Sequence, residues 1–285
     1  MRIRVDYFTS YDYSSLASDV VQLLHVEPSG HDSQFILNWR LDTDVDGHLR
    51  RSHDSFGNII HMFYADQPIR KLSLHVTGEV DTHDSAGVVS GAAEPLPSEV
   101  FLRTTPLSTP DAGILALARG CRADNPLDSC HNLTLALYTN MVFDADVTHS
   151  HTDAIHAFGL GAGVCQDYSH IFLAAARSLG IPARYVSGHL LRADGLVVQP
   201  AGHAWVEALI DGLGWVGFDP TNGISTNDAY LRVAVGLDYR DAAPVRGARR
   251  GGGAETLLVS VTTQHSAGQH SAVLGTAQSQ RQVQN

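Results

Sequence analysis

Hydrophobic and polar residues alternate with a period of two along the first part of the chain. In the segment RIRVDY, Ile3, Val5 and Tyr7 share one face, and the segment KLSLHVTGEV repeats this alternation from Leu72. Such alternation predicts strands that bury one face, and the strands are separated by turns rich in Pro, Gly and Asp. The pattern of residues 1–85 therefore predicts an antiparallel β-domain or a β-sandwich.

The pattern changes after about residue 86. The segment 86–110 is rich in Pro, Gly and Ser, which is typical of a linker. The segment TPDAGILALARG then predicts a helix with Thr109 as the N-cap and Pro110 at the first helical position. A second helix is predicted over 129–140. A third helix begins near Cys165 and ends at Gly180, with apolar residues three and four positions apart.

The rest of the chain predicts strands again. The segments RYVSGHLL, HAWVEALI and WVGFD follow the helix that begins near Cys165, and TLLVSVTT predicts a last strand. The chain therefore reads as an α+β protein in three parts. These are an N-terminal β-domain with its linker (1–105), a second domain (106–264) and a mobile polar tail (265–285).

Composition narrows the class of protein. Apolar residues make up 44% of the 285 residues, and the net charge of −11 argues against a partner that is nucleic acid. The N-terminus lacks the apolar core of a signal peptide, and no segment is long enough to span a membrane. The three cysteines are an odd number and lack CxxC spacing, which fits reduced thiols better than a disulfide framework. We therefore expect a cytoplasmic protein without a membrane partner, and its oligomeric state stays open.

The segment GAGVCQDYSH places Cys165 at the predicted beginning of a helix. A helix N-terminus stabilises anions, and the thiolate is the reactive form of cysteine. Asp167 is expected to satisfy N-terminal amides of the helix, because a short acidic side chain accepts their hydrogen bonds. The alternative is that Asp167 tunes the thiol, since a nearby anion would raise the pKa of the thiol. A cysteine nucleophile also needs a base and a third group that orients the base.

The segment GHAWVEALIDGLGWVGFDPTNG supplies a histidine and an aspartate on two consecutive predicted strands. If Leu209 pairs with Trp215, the turn has an odd length. Asp219 then lies opposite Trp205 and diagonal to His203 on one face of the hairpin. A turn of two or four residues would put the two side chains on opposite faces. Asp219 also precedes a proline, so it is expected to form a turn as well.

These segments together resemble a known family. GAGVCQDYSHIFLAAARSLGIPARYVSGHL and the hairpin segment resemble the transglutaminase-like core in its bacterial form, and the β-rich first hundred residues resemble the region that precedes it. The resemblance covers most of residues 1–260. It implies a papain-like fold in permuted order, with a cysteine-bearing helix packed on an antiparallel sheet. It also implies that Cys165 is the nucleophile, His203 the general base and Asp219 the residue that orients the imidazole.

The resemblance implies acyl transfer through a thioester, and bacterial members are mostly regarded as cysteine peptidases. We expect hydrolysis of peptide or glutamine amide bonds in a peptide or protein substrate, without a cofactor. Protein-glutamine cross-linking is the first alternative, and a non-catalytic binding protein on the same fold is the second. The backbone N–H of Cys165 is the expected first oxyanion donor. Gln166 and Tyr64 are candidates for the second donor, and Trp205 for core packing or the wall of the cleft.

Two further segments carry metal-ligand residue types. DTDVDG at 42–47 imitates the start of a calcium loop, but His53 stands where a bidentate glutamate is needed, which favours a turn between strands. The segment 149–156 contains three histidines, which suit a transition metal or a solvated loop before a helix capped by Thr152 or Asp153. We predict no metal, and sensitivity to chelators would distinguish a metalloenzyme.

Overall fold

A computed structural model describes residues 1–266, so the predicted tail lies outside the described residues from position 267 onward. The strands are β1 (Arg2–Leu24), β2 (Gln34–Thr43), β3 (Gly47–His53), β4 (Ile59–Ala65), β5 (Ile69–Thr82), β6 (Val88–Val89), β7 (Val142–Phe143), β8 (Ala162–Gly163), β9 (Ala183–Leu190), β10 (Val198–Gln199), β11 (His203–Ile210), β12 (Gly214–Asp219), β13 (Ile224–Ser225), β14 (Tyr230–Gly236), β15 (Val245–Gly251) and β16 (Glu255–His265). The α-helices are α1 (Ala112–Cys121), α2 (Pro126–Asn140), α3 (Ala154–Leu160), α4 (Cys165–Ser178) and α5 (Tyr239–Ala242).

The predicted N-terminal antiparallel sheet is confirmed, and it is built around the long strand β1. The first half of β1 pairs with β5 and β16, and its second half pairs with β4 and β15. Register shifts between Asp12 and Ala17 interrupt the ladder, and such irregularities bend a strand. The predicted inner face is buried, with Ile3, Val5 and Tyr7 in the core of this sheet.

The chain passes between two sheets more than once. Strand β6, within the predicted linker, pairs with β12 of the second sheet. Strands β15 and β16 return to the first sheet and pair with β1. The domain ranges predicted from the sequence assign 245–264 to the second domain, whereas these strands lie in the N-terminal sheet. Both ends of the described chain therefore build that sheet.

The second sheet is antiparallel in the order β13-β12-β11-β9-β14, and helix α4 packs against it. The predicted start of α4 at Cys165 is confirmed. Apolar periodicity indicated one buried face, but the whole helix is buried from Gln166 to Arg177 because α1, α2 and α3 cover its other sides. The cysteine-bearing helix on an antiparallel sheet is thus present as predicted.

Helix α1 begins two residues later than the sequence predicted. Its N-cap is Asp111, whose carboxylate accepts a hydrogen bond from the N–H of Ile114 at 2.8 Å. The hydroxyl of Thr109 instead donates to the carbonyl of Thr105. Aspartate is at least as good an N-cap as threonine, so the later cap prevails. Among residues 1–266, no helix has both the length and the apolar character of a membrane span.

Candidate active site

Cys165 is the first residue of α4, and the Asp167 side chain packs closely against the backbone just before it. A carboxylate oxygen of Asp167 accepts the Val164 N–H at 2.8 Å and the Thr148 hydroxyl at 2.7 Å. The predicted capping role of Asp167 is therefore confirmed. Any side chain at Gly163 would meet this carboxylate, since a Cβ there would lie 2.5 Å from an Asp167 oxygen. The absence of a side chain at Gly163 thus leaves room for the Asp167 carboxylate at the start of the helix.

The hairpin of β11 and β12 has the register that the sequence predicted. Leu209 pairs with Trp215, and the ladder continues by one pair to Ile210 and Gly214, which leaves a turn at 211–213. The turn has an odd length, so the side chains of His203 and Asp219 lie on the same face. The Nε2 atom of His203 lies 2.6 Å from an Asp219 carboxylate oxygen.

Asp219 is fully buried, and its two oxygens accept five hydrogen bonds. One oxygen accepts the backbone N–H groups of Thr221 and Asn222, so the predicted turn role is also confirmed. The other accepts the Asn222 amide at 2.6 Å and the Tyr230 hydroxyl at 2.8 Å, in addition to His203. Neither Asn222 nor Tyr230 was predicted from the sequence as a partner of Asp219. A polar residue three positions after Asp219 could have indicated Asn222, but no local signal indicates Tyr230.

The imidazole of His203 is held between aromatic rings and a carboxylate. Its ring stacks near Trp205, with centroids 6.1 Å apart, and lies 6.0 Å from the Tyr230 ring. Burial acts to lower the pKa of His203, but attraction and hydrogen bonding from Asp219 outweigh burial. With a smaller contribution from the Cys165 thiol, they raise this pKa to about 10. The pKa of Asp219 is lowered, because its partners outweigh the opposing effect of burial.

Hydrogen bonding and attraction from Cys165 contribute to the raised pKa of His203. Since Asp219 binds Nε2, the Nδ1 atom is the one left for the thiol. With a pKa of about 10, the imidazole of His203 carries a positive charge in neutral solution.

The three predicted oxyanion and wall candidates lie in different places. The Gln166 side-chain amide donates to the Ser150 carbonyl at 3.3 Å. Tyr64 lies on β4 in the N-terminal sheet, outside the elements that carry Cys165, His203 and Asp219. Trp205 is buried and packs near His203, which fits both the core and the wall expectations. The roles predicted for these three residues stay predictions.

Acidic side chains of the two segments with metal-ligand residue types accept hydrogen bonds from the backbone. Asp153, one of the two expected caps, is the N-cap of α3 and accepts the N–H of His156 at 2.8 Å. Segment 42–47 links the end of β2 to the start of β3, and Asp44 accepts the N–H of Ser73. Within the part of the chain that the structure describes, no three His, Cys, Asp or Glu residues are grouped to hold a metal ion.

Replacing Asp219 by asparagine is expected to lower the pKa of His203 from about 10. The variant removes the largest of the interactions that raise this pKa and leaves the burial that lowers it. NMR titration of the labelled imidazole measures both values. The Asp241→Asn variant is the control, because Asp241 bonds the N–H of Leu237 rather than His203. An unchanged His203 titration in Asp219→Asn would contradict the assignment of the carboxylate as the cause.

The same pair makes stability depend on pH. His203, with its raised pKa, contributes stability that is complete below pH 6.5 and is lost as the pH rises through 10. Asp219, with its lowered pKa, contributes stability that is complete above pH 3.8 and is lost in more acidic solution. The free energy of unfolding of the wild type should therefore exceed that of Asp219→Asn most between about pH 4 and 6.5. Urea unfolding at several pH values measures this difference.

The chain matches two family models. The Transglutaminase-like superfamily matches residues 115–220, which contain Cys165, His203 and Asp219. The Bacterial transglutaminase-like N-terminal region matches residues 3–81, which form strands β1 to β5. The two matches together span most of the chain, and the chain belongs to the transglutaminase-like superfamily in its bacterial form.

Similar proteins match this chain over most of their own length. An uncharacterized protein of Mycobacterium leprae is 29% identical over 278 residues, which is 91% of this chain and 97% of the relative. An uncharacterized protein of Mycobacterium bovis is 27% identical and covers 86% of this chain and 87% of its own length. A crystal structure from Cytophaga hutchinsonii, described as a "Putative Cysteine Protease", has a TM-score of 0.74 at 22% identity. It covers 98% of this chain and 95% of its own. That likeness shows that the fold is the same.

Proposed function

We propose that this protein is a cysteine-dependent hydrolase of peptide or amide bonds, with Cys165 as nucleophile, His203 as acid and base, and Asp219 as the group that orients His203. The observation that carries this proposal is the buried His203–Asp219 pair, 2.6 Å apart, next to a cysteine at a helix N-terminus. The Cytophaga protein of the same fold is described as a protease, and the proposal extends that class of reaction to this chain.

The reaction begins with the thiolate of Cys165, whose proton His203 holds. The sulfur attacks the carbonyl carbon of the amide, a C–S bond forms, and the π electrons move to the oxygen. The backbone N–H of Cys165 lies in the first turn of α4, where no helical carbonyl takes its hydrogen bond, and it can donate to this oxyanion. When the C–N bond breaks, His203 gives its proton to the departing amine, and an acyl thioester remains.

Water completes the cycle. Neutral His203 takes a proton from a water molecule as the water oxygen attacks the thioester carbon. The C–S bond breaks, the acid leaves, and the thiolate–imidazolium pair is restored. Asp219 stays ionised throughout, because four further hydrogen bonds besides the one to His203 hold its negative charge.

Labelling with iodoacetamide between pH 5 and 9, read by mass spectrometry for each cysteine, tests the proposal. Cys165 in the wild type is expected to react at pH 6 about 100-fold faster than in His203→Ala, because the variant loses the group that holds the thiol proton. Cys121 and Cys130 are internal controls, since burial raises the pKa of both thiols and that of Cys130 to about 12. The exposed His75→Ala variant should behave like the wild type.

Equal labelling of Cys165 in the wild type and in His203→Ala would overturn the proposed pairing. If labelling follows the prediction, peptide mixtures and glutamine-containing peptides can be screened for released amine or ammonia. Transfer of the acyl group to an added primary amine, faster than to water, would replace hydrolysis by cross-linking as the reaction.

A further inference from the structure

Strand β14 ends the second sheet, and two side chains of the N-terminal region occupy its outer edge. β14 pairs with β9 along one side. On the other side, the side-chain oxygen of Gln34 accepts the backbone N–H of Arg232 at 2.8 Å. The side-chain nitrogen of Gln34 donates to the backbone carbonyl of Arg232 at 2.9 Å. Asn58 does the same at Val235, at 2.8 Å and 2.7 Å.

A side-chain amide has the same donor and acceptor as a peptide group. Gln34 and Asn58 thus replace the neighbouring strand that an edge strand lacks. Both are buried, so water does not compete for these hydrogen bonds. A third contact reinforces the docking, since Leu231 and Val233 of β14 belong to the apolar core of the N-terminal sheet.

The two amides bond the residues on either side of an irregularity in β14. The pairing of β14 with β9 shifts register between Arg232 and Ala234. Such a shift changes the direction of the side chains around it, and bulges of this kind often lie beside active sites. Gln34 and Asn58 therefore bind the strand where its register is irregular.

This strand delivers one of the groups that hold Asp219. Tyr230, at the start of β14, donates its hydroxyl to the Asp219 oxygen that also binds His203. Its ring lies edge-on to Trp205, with centroids 5.4 Å apart. Two residues further, Arg232 bonds Glu207 on β11, the strand of His203, at 2.9 Å. The position of β14 thus fixes where the Tyr230 hydroxyl meets the carboxylate.

We propose that Gln34 and Asn58 are positioning residues for acyl transfer, which hold β14 so that Tyr230 keeps Asp219 aligned with His203. This inference rests on the proposed function. Gln34 and Asn58 complete the edge of the second sheet, although they lie 198 and 177 residues before the backbone groups that they bond. The inference therefore gives the N-terminal β-region a role in positioning the catalytic residues.

The test compares Gln34→Met with Gln22→Met in the full chain. Gln22 is a matched control, because it is a buried glutamine of the same region on β1 and its carbonyl oxygen has no partner among the described residues. We expect Gln34→Met to lower the labelling rate of Cys165 at pH 6, relative to that at pH 9, by about tenfold. Gln22→Met should leave this ratio unchanged, even where it lowers the melting temperature.

A double-mutant cycle separates positioning from a merely structural effect. Tyr230→Phe should lower the same pH 6 to pH 9 ratio, and adding Gln34→Met to it should change the ratio by less than about twofold, because both act through one hydrogen bond. Gln34→Glu, which keeps the acceptor for the Arg232 N–H, should recover part of the ratio. Asn58→Leu is the second probe if Gln34→Met does not fold.

Two outcomes would overturn the inference. One is a Gln34 or Asn58 variant with a lower melting temperature and the pH 6 to pH 9 ratio of the wild type. The other is a pair of effects that multiply fully in the cycle. Failure of the proposed function looks different, since labelling of the wild type would then equal that of His203→Ala.

Discussion

Replacing Cys165 by alanine is expected to reduce amide hydrolysis to the background rate, a loss on the order of 10⁵-fold or more. The thioester cannot form without the sulfur, and the remaining groups can only polarise the substrate and hold water near it. The matched control is Cys121→Ala on α1, which removes another free thiol of the described chain. We expect this control to keep the activity of the wild type. The measurement is the rate of amine release from a peptide found in the substrate screen.

The fold should survive this change, because Cys165 is only half-buried and it begins the helix rather than filling its centre. Circular dichroism and the melting temperature of Cys165→Ala should therefore match those of the wild type. Residual hydrolysis above about one per cent of the wild-type rate in Cys165→Ala would contradict a thioester mechanism. If Cys121→Ala also lost activity, the loss in Cys165→Ala would be explained by disturbed packing rather than by the missing nucleophile.

The parts of the site that the sequence predicts are those set by short-range rules. The hairpin that brings His203 to Asp219 depends on the parity of one short turn, and parity can be read from the chain. The start of α4 at Cys165 depends on the apolar spacing of the helix and on a capping residue two positions further on. These rules need only neighbouring residues, and the structure agrees with both.

The parts that the sequence does not predict depend on long-range packing. Tyr230 lies on a different strand from Asp219, beyond an intervening turn. Nothing in the sequence distinguishes it from the other tyrosines as the partner of Asp219. The return of β15 and β16 to the first sheet also has no local signal, because their alternation fits either sheet. Gln34 and Asn58 read as ordinary polar residues of a strand and a turn. Only the folded structure shows which backbone groups they satisfy.

Glu207→Gln is expected to lower the free energy of unfolding by about 3–5 kcal/mol. Glu207 is buried on β11 between two arginines, with its oxygens 2.7 Å from Arg184 Nε and 2.9 Å from Arg232 Nε. Burial acts to raise the pKa of Glu207, but the two arginines outweigh it and lower this pKa to about 2. The carboxylate is therefore charged in neutral solution, and removing its charge leaves a buried arginine without compensation.

The arginine that would be left without compensation is Arg232. Arg184 keeps two hydrogen bonds to Glu94, at 2.6 and 3.0 Å, and lies over the Trp215 ring at 3.9 Å. Arg232 is buried, and Glu207 is the carboxylate that its guanidinium bonds. If the uncompensated charge causes the loss, the double variant Glu207→Gln/Arg232→Met should be more stable than Glu207→Gln alone.

Urea unfolding followed by tryptophan fluorescence measures these differences. The control is Asp194→Asn, which breaks an arginine–aspartate pair that is largely exposed and is expected to change stability little. The contribution of Glu207 should be complete above pH 4.5 and be lost as the pH falls through 2, because its pKa is lowered on folding. A loss no larger than that of the Asp194 control would show that the buried network does not stabilise β11. Since Glu207 shares β11 with His203 and bonds β14 through Arg232, its removal should also slow Cys165 labelling at pH 6.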